Sequence, residues 1–175
     1  FLSTVIPALV MFDSDVSPQI LDQCESSLSI ASSMTESSFL LDYMYGVLYE
    51  KRGNFSEAEK YFKVVYEKEP ACFEARYHLA SVELALGKNE SASAITTGLL
   101  DTGNIDALKI NARAAFAQNQ YDKAEEYVAR VLQQTPNDLE FLLFRAKILI
   151  AKNDYIHAVS LLDMYSRQND TNIEY

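Results

Sequence analysis

The chain has 175 residues, of which 49% are hydrophobic and 23% charged, a composition typical of a folded domain rather than of a disordered segment. Its formal net charge of −10 at pH 7 opposes binding to a phosphate backbone, so nucleic acid is not an expected partner. No apolar run is long enough to span a bilayer. The two cysteines fit neither a metal site nor a disulfide framework, so redox chemistry does not indicate the compartment. The localisation stays open, with an intracellular one weakly favoured and an upstream targeting signal as the alternative.

The first predicted helix covers Pro18 to Ser33, where a serine and a proline form a good N-cap and first turn. Within it, Cys24 lies 34 residues before Ala58, a small residue of the repeating pattern that follows. We therefore predict that residues 1–38 form either an N-terminal capping segment or a degenerate repeat.

Small residues recur through the rest of the chain at nearly constant spacing. The first series, with spacings of 34, 32 and 34, is Gly46, Ala80, Ala112 and Ala146. A second series, always 12 residues later, is Ala58, Ala92, Ala124 and Ala158. Because two helices can cross closely only where their side chains are small, we expect Gly46 to face Ala58 and Ala80 to face Ala92. The spacing predicts helical hairpins that bury their apolar faces by stacking.

Each hairpin consists of a helix A and a helix B. In the first hairpin, helix A is predicted from Phe39 to Arg52 and helix B from Ser56 to Lys68, with a glycine turn between them and a proline after them. Repeating this pattern gives four units, which are residues 39–70, 73–104, 105–136 and 139–170. The second unit is two residues short, which predicts a shorter linker near its end. Residues 171–175 are read as the truncated start of a further repeat.

The first hairpin carries a recognisable motif. Its residues are Tyr45-Gly46-x-x-Tyr49, then Ala58-x-x-x-Phe62, then Pro70. This pattern resembles the tetratricopeptide repeat family, and the resemblance covers about three quarters of the chain. It implies an all-α fold, a right-handed superhelical solenoid of stacked antiparallel helix pairs. Two positions depart from the family pattern, since Asp42 replaces a large apolar residue and Thr96 stands where an aromatic residue is common.

No group of residues predicts catalysis. The two histidines, His78 and His157, belong to different units. The acidic residues of the first helix B are interpreted as a solvated face; they are Glu57, Glu59, Glu67 and Glu69. We therefore expect neither an enzyme nor a cofactor or metal site.

The resemblance implies that the A helices line a concave binding groove. The predicted groove residues are Tyr43, Val47, Tyr77, Ser81, Leu84, Lys109, Arg113, Phe116, Leu143, Lys147 and Ile150. Lys109 and Arg113 share a helix face, and Lys147 is one repeat after Arg113. This basic stripe lies beside apolar groups, so the expected partner is a protein or peptide segment with acidic and apolar residues.

The sequence thus favours a protein-interaction scaffold that binds its partner in the groove. Two alternatives remain open at this point. The first is a structural repeat domain that forms a homo-oligomer through its open ends. The second is a regulatory interaction region of a larger multidomain protein.

Overall fold

The structure is a computed structural model that describes residues 17–34 and 38–170. Every regular element in these residues is a helix. The predictions for residues 1–16 and 171–175 lie outside the described residues. The chain divides into two compact units, residues 1–95 and residues 96–175.

The first unit is built from helices that alternate in direction along the chain. Their bounds are α1 Pro18–Met34, α2 Phe39–Lys51, α3 Phe55–Lys68, α4 Phe73–Ala85 and α5 Asn89–Thr96, the last ending one residue into the second unit. The helix predicted over Pro18–Ser33 is confirmed. It packs on the core of this unit through Leu21, Cys24 and Leu28.

Gly46 lies directly against the ring of Phe62 in the first hairpin. A Cβ atom at this position would lie 2.6 Å from Cε1 of Phe62, and the three nearest atoms all belong to that ring. The prediction that Gly46 faces Ala58 is therefore wrong in its partner, although it is right that helices α2 and α3 need a small residue there. The glycine makes room for a completely buried aromatic ring rather than for another small residue.

The turns between helices A and B end in a residue with left-handed backbone, as the sequence predicts. Gly53 and Gly87 have φ angles of 71° and 75°, and Asn119 and Asn153 have φ angles of 59° and 62°. Glycine adopts this conformation without steric cost, and asparagine tolerates it better than most residues. These four turns set the direction of each helix B.

The second unit repeats the hairpin arrangement. Its elements are a 3-10 turn Thr97–Leu99, then α6 Ile105–Ala117, α7 Tyr121–Gln134, α8 Leu139–Ala151 and α9 Tyr155–Asp170. Its core is centred on Leu108, Val128 and Phe141, which are fully buried.

The missing two residues of the second repeat shorten its helix B and do not shorten the linker. Helix α5 has 8 residues, whereas α3 and α7 have 14 each. The segment 100–104 before α6 is no shorter than the segment 135–138 before α8. The predicted shorter linker is therefore wrong. Thr96, the residue that departs from the family pattern, is buried and accepts a hydrogen bond of 2.8 Å from Nδ2 of Asn111.

Ion pairs connect a helix B to the turn of the hairpin that follows it. Glu25 Oε2 lies 2.8 Å from a guanidinium nitrogen of Arg52, and Glu125 Oε2 lies 2.7 Å from Nζ of Lys152. Glu59 makes the corresponding contact, with its Oε2 atom 2.6 Å from Nζ of Lys88. The three glutamates occupy the same place in the repeat, the residue that follows the small residue of helix B.

Glu59 does not belong to a solvated acidic face, so that interpretation is wrong for this residue. Only 7% of its surface is exposed, because it lies between the ammonium groups of Lys63 and Lys88. Burial raises the pKa of Glu59, but hydrogen bonds from Lys63 and Lys88 outweigh it and hold the pKa below its ordinary value. Glu59 is therefore a structural ion-pair partner.

A second acidic side chain, Glu83 on α4, is almost completely buried. Its Oε1 atom lies 3.7 Å from Nζ of Lys63, and its Oε2 atom has no hydrogen-bond partner within the described part of the chain. The equivalent places in other repeats are apolar or aromatic, as at Tyr49 and Leu149. A carboxylate here opposes stability rather than supporting it.

Candidate protein-binding surface

In the first unit, the predicted groove residues lie on helices α2 and α4. Val47 is only 3% exposed and packs in the core, so the expectation that it offers a contact surface is wrong. The other four, Tyr43, Tyr77, Ser81 and Leu84, are half-buried. Val47 is one of three consecutive buried residues of α2, which the repeat pattern alone does not reveal.

An aromatic cluster surrounds His78 on this face. Its imidazole stacks on Phe62 at a centroid distance of 5.2 Å, and the rings of Tyr43 and Tyr77 contact it edge-on at 5.7 and 5.5 Å. Nδ1 of His78 lies 2.7 Å from Oε2 of Glu50. Aromatic pairs of this geometry are worth about 0.5–1.5 kcal/mol beyond their buried area. The cluster therefore holds both tyrosines in fixed orientations.

Tyr43 remains a neutral phenol well above physiological pH. Burial is the main cause and raises its pKa to about 12, with further contributions from the nearby Glu74, Cys72 and Glu50. Its hydroxyl can accordingly serve as a hydrogen-bond donor to a partner.

In the second unit, the predicted basic residues lie on α6 and α8. Two of them form ion pairs within the unit. Nζ of Lys109 is 2.7 Å from Oδ2 of Asp138, and the guanidinium of Arg113 is paired with Glu140. Both cations also lie over the ring of Phe141, at 5.0 and 5.3 Å from its centroid. Most of the charge of this pair is therefore balanced inside the protein.

Asp138 has two roles at the start of α8. Its side chain accepts a hydrogen bond of 3.1 Å from the backbone N–H of Phe141, which caps the helix, and it binds Lys109. Burial raises the pKa of Asp138, but these two hydrogen bonds outweigh burial and lower the pKa below its ordinary value. The sequence identifies such an N-cap, but its pairing with Lys109 depends on the stacking of α8 beside α6.

Lys147 differs from the other two basic residues. Among the residues that the structure describes, it forms no ion pair, and its ammonium lies 5.0 Å from the centroid of the Phe116 ring. Phe116 in turn contacts Phe144 at 5.4 Å. Leu143 and Ile150 on the same helix are each 48% exposed. The structure thus brings one cation and several apolar groups together on the exposed faces of α6 and α8.

Paired antiparallel helices that recur with small residues at the crossing points define an all-α helical-repeat protein. The family model for the tetratricopeptide repeat matches residues 49–108, 98–148 and 115–175. The chain belongs to the tetratricopeptide repeat family, and its fold class is the all-α solenoid of helix pairs, as predicted. As a member of this family it is a protein-interaction scaffold.

Solved structures of other repeat proteins have the same fold. A MamA fragment from Desulfovibrio magneticus RS-1 is 14% identical, with a TM-score of 0.83 over 99% of this chain and 95% of that one. A tetratricopeptide repeat protein from Parabacteroides merdae is 17% identical, with a TM-score of 0.72 over 82% of this chain and 57% of that one. At these identities the similarity shows the fold alone. No curated protein sequence matches the chain.

Membrane insertion through a helix finds no support in the described part of the chain. None of its helices has the length and the apolar character that crossing a bilayer requires.

Proposed function

We propose that this scaffold binds an extended or helical protein segment with acidic and apolar residues in the groove predicted from the A helices, on the exposed faces of α6 and α8. The supporting observation is Lys147, an exposed ammonium that lies against the Phe116 ring between the exposed Leu143 and Ile150. An apolar surface with one cation fits a partner that pairs an apolar anchor with a carboxylate.

The magnitudes assign different roles to these residues. An exposed ion pair contributes about 0–1 kcal/mol, whereas a buried apolar or aromatic anchor at an interface contributes about 2 kcal/mol or more. Leu143, Ile150 and Phe116 would therefore supply most of the affinity. Lys147 would set the preference for acidic partners and the dependence of binding on salt.

The predicted contributions of Lys109 and Arg113 change in this proposal. Their carboxylate partners Asp138 and Glu140 compete with any acidic ligand, so the two cations act chiefly in holding α6 and α8 together. In the first unit, Tyr43 and Tyr77 remain proposed contact residues on a separate aromatic face, together with Ser81 and Leu84.

The test is a selection of peptides from a displayed random library against the folded protein. We expect the selected peptides to combine apolar residues with Asp or Glu. Changing Ile150 to Ser should weaken binding at least about tenfold, since about 1.4 kcal/mol corresponds to a factor of ten. Changing Lys147 to Gln should weaken binding less and reduce its salt dependence. Both side chains are exposed, so neither change should affect folding.

Lys123 on α7 provides the matched control. It is an exposed lysine outside the proposed surface, and its change to Gln alters the net charge by the same amount as the change at Lys147. Equal effects of the two lysine changes would indicate general electrostatics. Peptides without acidic residues, or peptides that bind the Ile150 variant normally, would refute the proposed surface.

A further inference from the structure

A cavity of about 460 Å³ lies between α7, α8 and α9, within the second unit. Leu149, Leu161 and Met164 form the apolar part of its lining, and the polar part includes Arg145 and Ser160. Cavities that bind small ligands have volumes of about 300–1,000 Å³ and combine apolar walls with a few polar groups. This cavity therefore has the size and the lining of a ligand site.

Three stacked tyrosine rings occupy the equivalent place in the first hairpin, and they are those of Tyr45, Tyr49 and Tyr61. The Tyr61 ring stacks on the other two at centroid distances of 5.2 and 5.6 Å. In the last hairpin the residues at the same places are Arg145, Leu149 and Leu161. These side chains form no such ring stack, and a cavity is present instead.

The cavity lies on the side of α9 that points away from any following hairpin. A helix B meets the next hairpin through the residues one and four places after its small residue, as Glu59 binds Lys88 and Phe62 stacks on His78. Leu161 and Met164 lie three and six places after the small residue of α9. At 3.6 residues per turn these places are on roughly the opposite side of the helix axis. A further hairpin behind α9 would accordingly leave the cavity open.

Arg145 brings unused hydrogen-bonding capacity to this cavity. Its Nε atom is buried and has no hydrogen-bond partner in the described part of the chain. A guanidinium nitrogen of Arg145 is 3.9 Å from Oε1 of Glu125, beyond hydrogen-bond distance. Glu125 instead binds Nζ of Lys152 at 2.7 Å, and Asp154 binds Nδ1 of His157 at 2.7 Å. The other ionisable groups of the lining are thus paired, whereas the guanidinium is available to a ligand.

We propose that this cavity binds a carboxylate that carries a short apolar body. Arg145 donates two parallel hydrogen bonds to the carboxylate, which is the geometry that a guanidinium favours. Leu161 and Met164 contact the apolar body, and the Ser160 hydroxyl can donate a further hydrogen bond. The carboxylate belongs either to a free organic acid or to a peptide, since both present the same chemistry to the guanidinium.

A titration followed by solution NMR of the 175-residue chain tests this proposal. The probe is phenylpropionate, and phenylpropionamide is its uncharged counterpart. The acid should shift the side-chain Nε–H resonance of Arg145, which is assigned by its loss in the Arg145→Gln variant. The amide should bind at least about tenfold more weakly, because it cannot accept the charged, bidentate pair of hydrogen bonds.

Two variants alter the cavity independently of each other. Arg145→Gln removes the guanidinium and should weaken binding of phenylpropionate at least about tenfold. Leu161→Tyr introduces the residue found at the equivalent places Tyr61 and Tyr127, so it should fold normally, fill the cavity and abolish binding. Lys123→Gln, on the exposed side of α7, is the control that changes the charge equally outside the cavity and should bind normally. Circular dichroism checks that all three variants are folded.

A parallel titration identifies the source of the carboxylate. Its probe is an acetylated, amidated pentapeptide with one Glu among Leu and Ala residues. A shift of the Arg145 Nε–H resonance with the peptide alone would assign the site to a protein ligand, and a shift with phenylpropionate alone would assign it to a small acid. No shift with either probe, equal binding of acid and amide, or unchanged binding in the Leu161→Tyr variant would overturn the proposal.

Discussion

Replacing Gly46 by alanine tests the contact that fixes the spacing of α2 and α3. The new Cβ atom would lie 2.6–2.9 Å from three atoms of the Phe62 ring, and that ring is completely buried, so the core around it would have to rearrange. Overpacking of a core costs about 1–3 kcal/mol, whereas alanine is favoured over glycine in a helix interior by about 1 kcal/mol. Because the ring is rigid and enclosed, we expect the upper half of the overpacking range and a net loss of about 1–2 kcal/mol.

Urea unfolding followed by circular dichroism measures this loss. The change of Gly98 to Ala is a suitable control, because no atom lies within 4 Å of its Cβ position and its φ angle is not positive. It should be neutral or slightly stabilising.

The partner of Gly46 can be verified by a double-mutant cycle. In a variant with Phe62 changed to Leu, the flat ring is gone, and the change of Gly46 to Ala should become neutral or stabilising. If alanine at Gly46 stabilises the unchanged protein, or costs the same free energy in both backgrounds, the ring contact does not determine this position and the reasoning fails.

Three further predictions concern ionisable groups that are partly or fully buried. Changing Glu83 to Leu should raise the free energy of unfolding, measured in urea, by about 1 kcal/mol or more. The change removes a buried carboxylate with an unpaired oxygen, and Lys63 retains its ion pair with Glu59. A clear decrease in the free energy of unfolding would contradict this prediction. Changing Asp138 to Asn keeps a helix cap but removes the Lys109 ion pair, and should cost about 1 kcal/mol at neutral pH. The pKa of Asp138 in the folded protein lies below its ordinary value of 3.8. The Asp138 carboxylate therefore contributes its full stabilisation above pH 3.8 and loses it as the pH falls through the folded-state pKa. The stabilities of the Asp138→Asn variant and the unchanged protein should accordingly converge in acid. The neutral Tyr43 phenol makes its full contribution to folding stability below its ordinary pKa of 10.0 and loses that contribution as the pH rises towards about 12. Thermal unfolding of the Tyr43→Phe variant should therefore depend less on pH in that interval.

The repeat architecture could be predicted from the sequence because its determinants are local. Small residues at fixed spacing mark the helix crossings, and Gly53 and Asn119 mark the turns where the backbone must be left-handed. The motif around Gly46 identifies the family, which the match to its model shows. These signals depend on the residue type at one place and not on what that residue contacts.

The contacts across stacked helices could not be predicted in the same way. The burial of Glu59 depends on Lys88, which lies 29 residues away and reaches it only after the hairpins stack. The ion pair of Lys109 with Asp138 likewise forms only because α8 stacks beside α6. It neutralises a cation that the helical periodicity had predicted to be available to a partner.

The groove residues show a related limit. Val47 fits the periodicity of a surface residue, yet α2 is covered on more than one side and the residue is buried. A helix with neighbours before and after it has a narrow free face, and the width of that face is set by packing. Whether the remaining groove residues bind a partner stays a prediction.

The glutamate-to-turn ion pairs have a consequence for the exchange of hairpins in protein engineering. A hairpin with a cation at its turn, such as Arg52, Lys88 or Lys152, is matched to a preceding helix that carries a glutamate at the corresponding place. Moving such a hairpin behind α9 would set its cation opposite Val159. The hairpins of this chain are therefore not interchangeable. A chimera should keep the native stacking of its hairpins only where the glutamate and the cation of each ion pair are transplanted together.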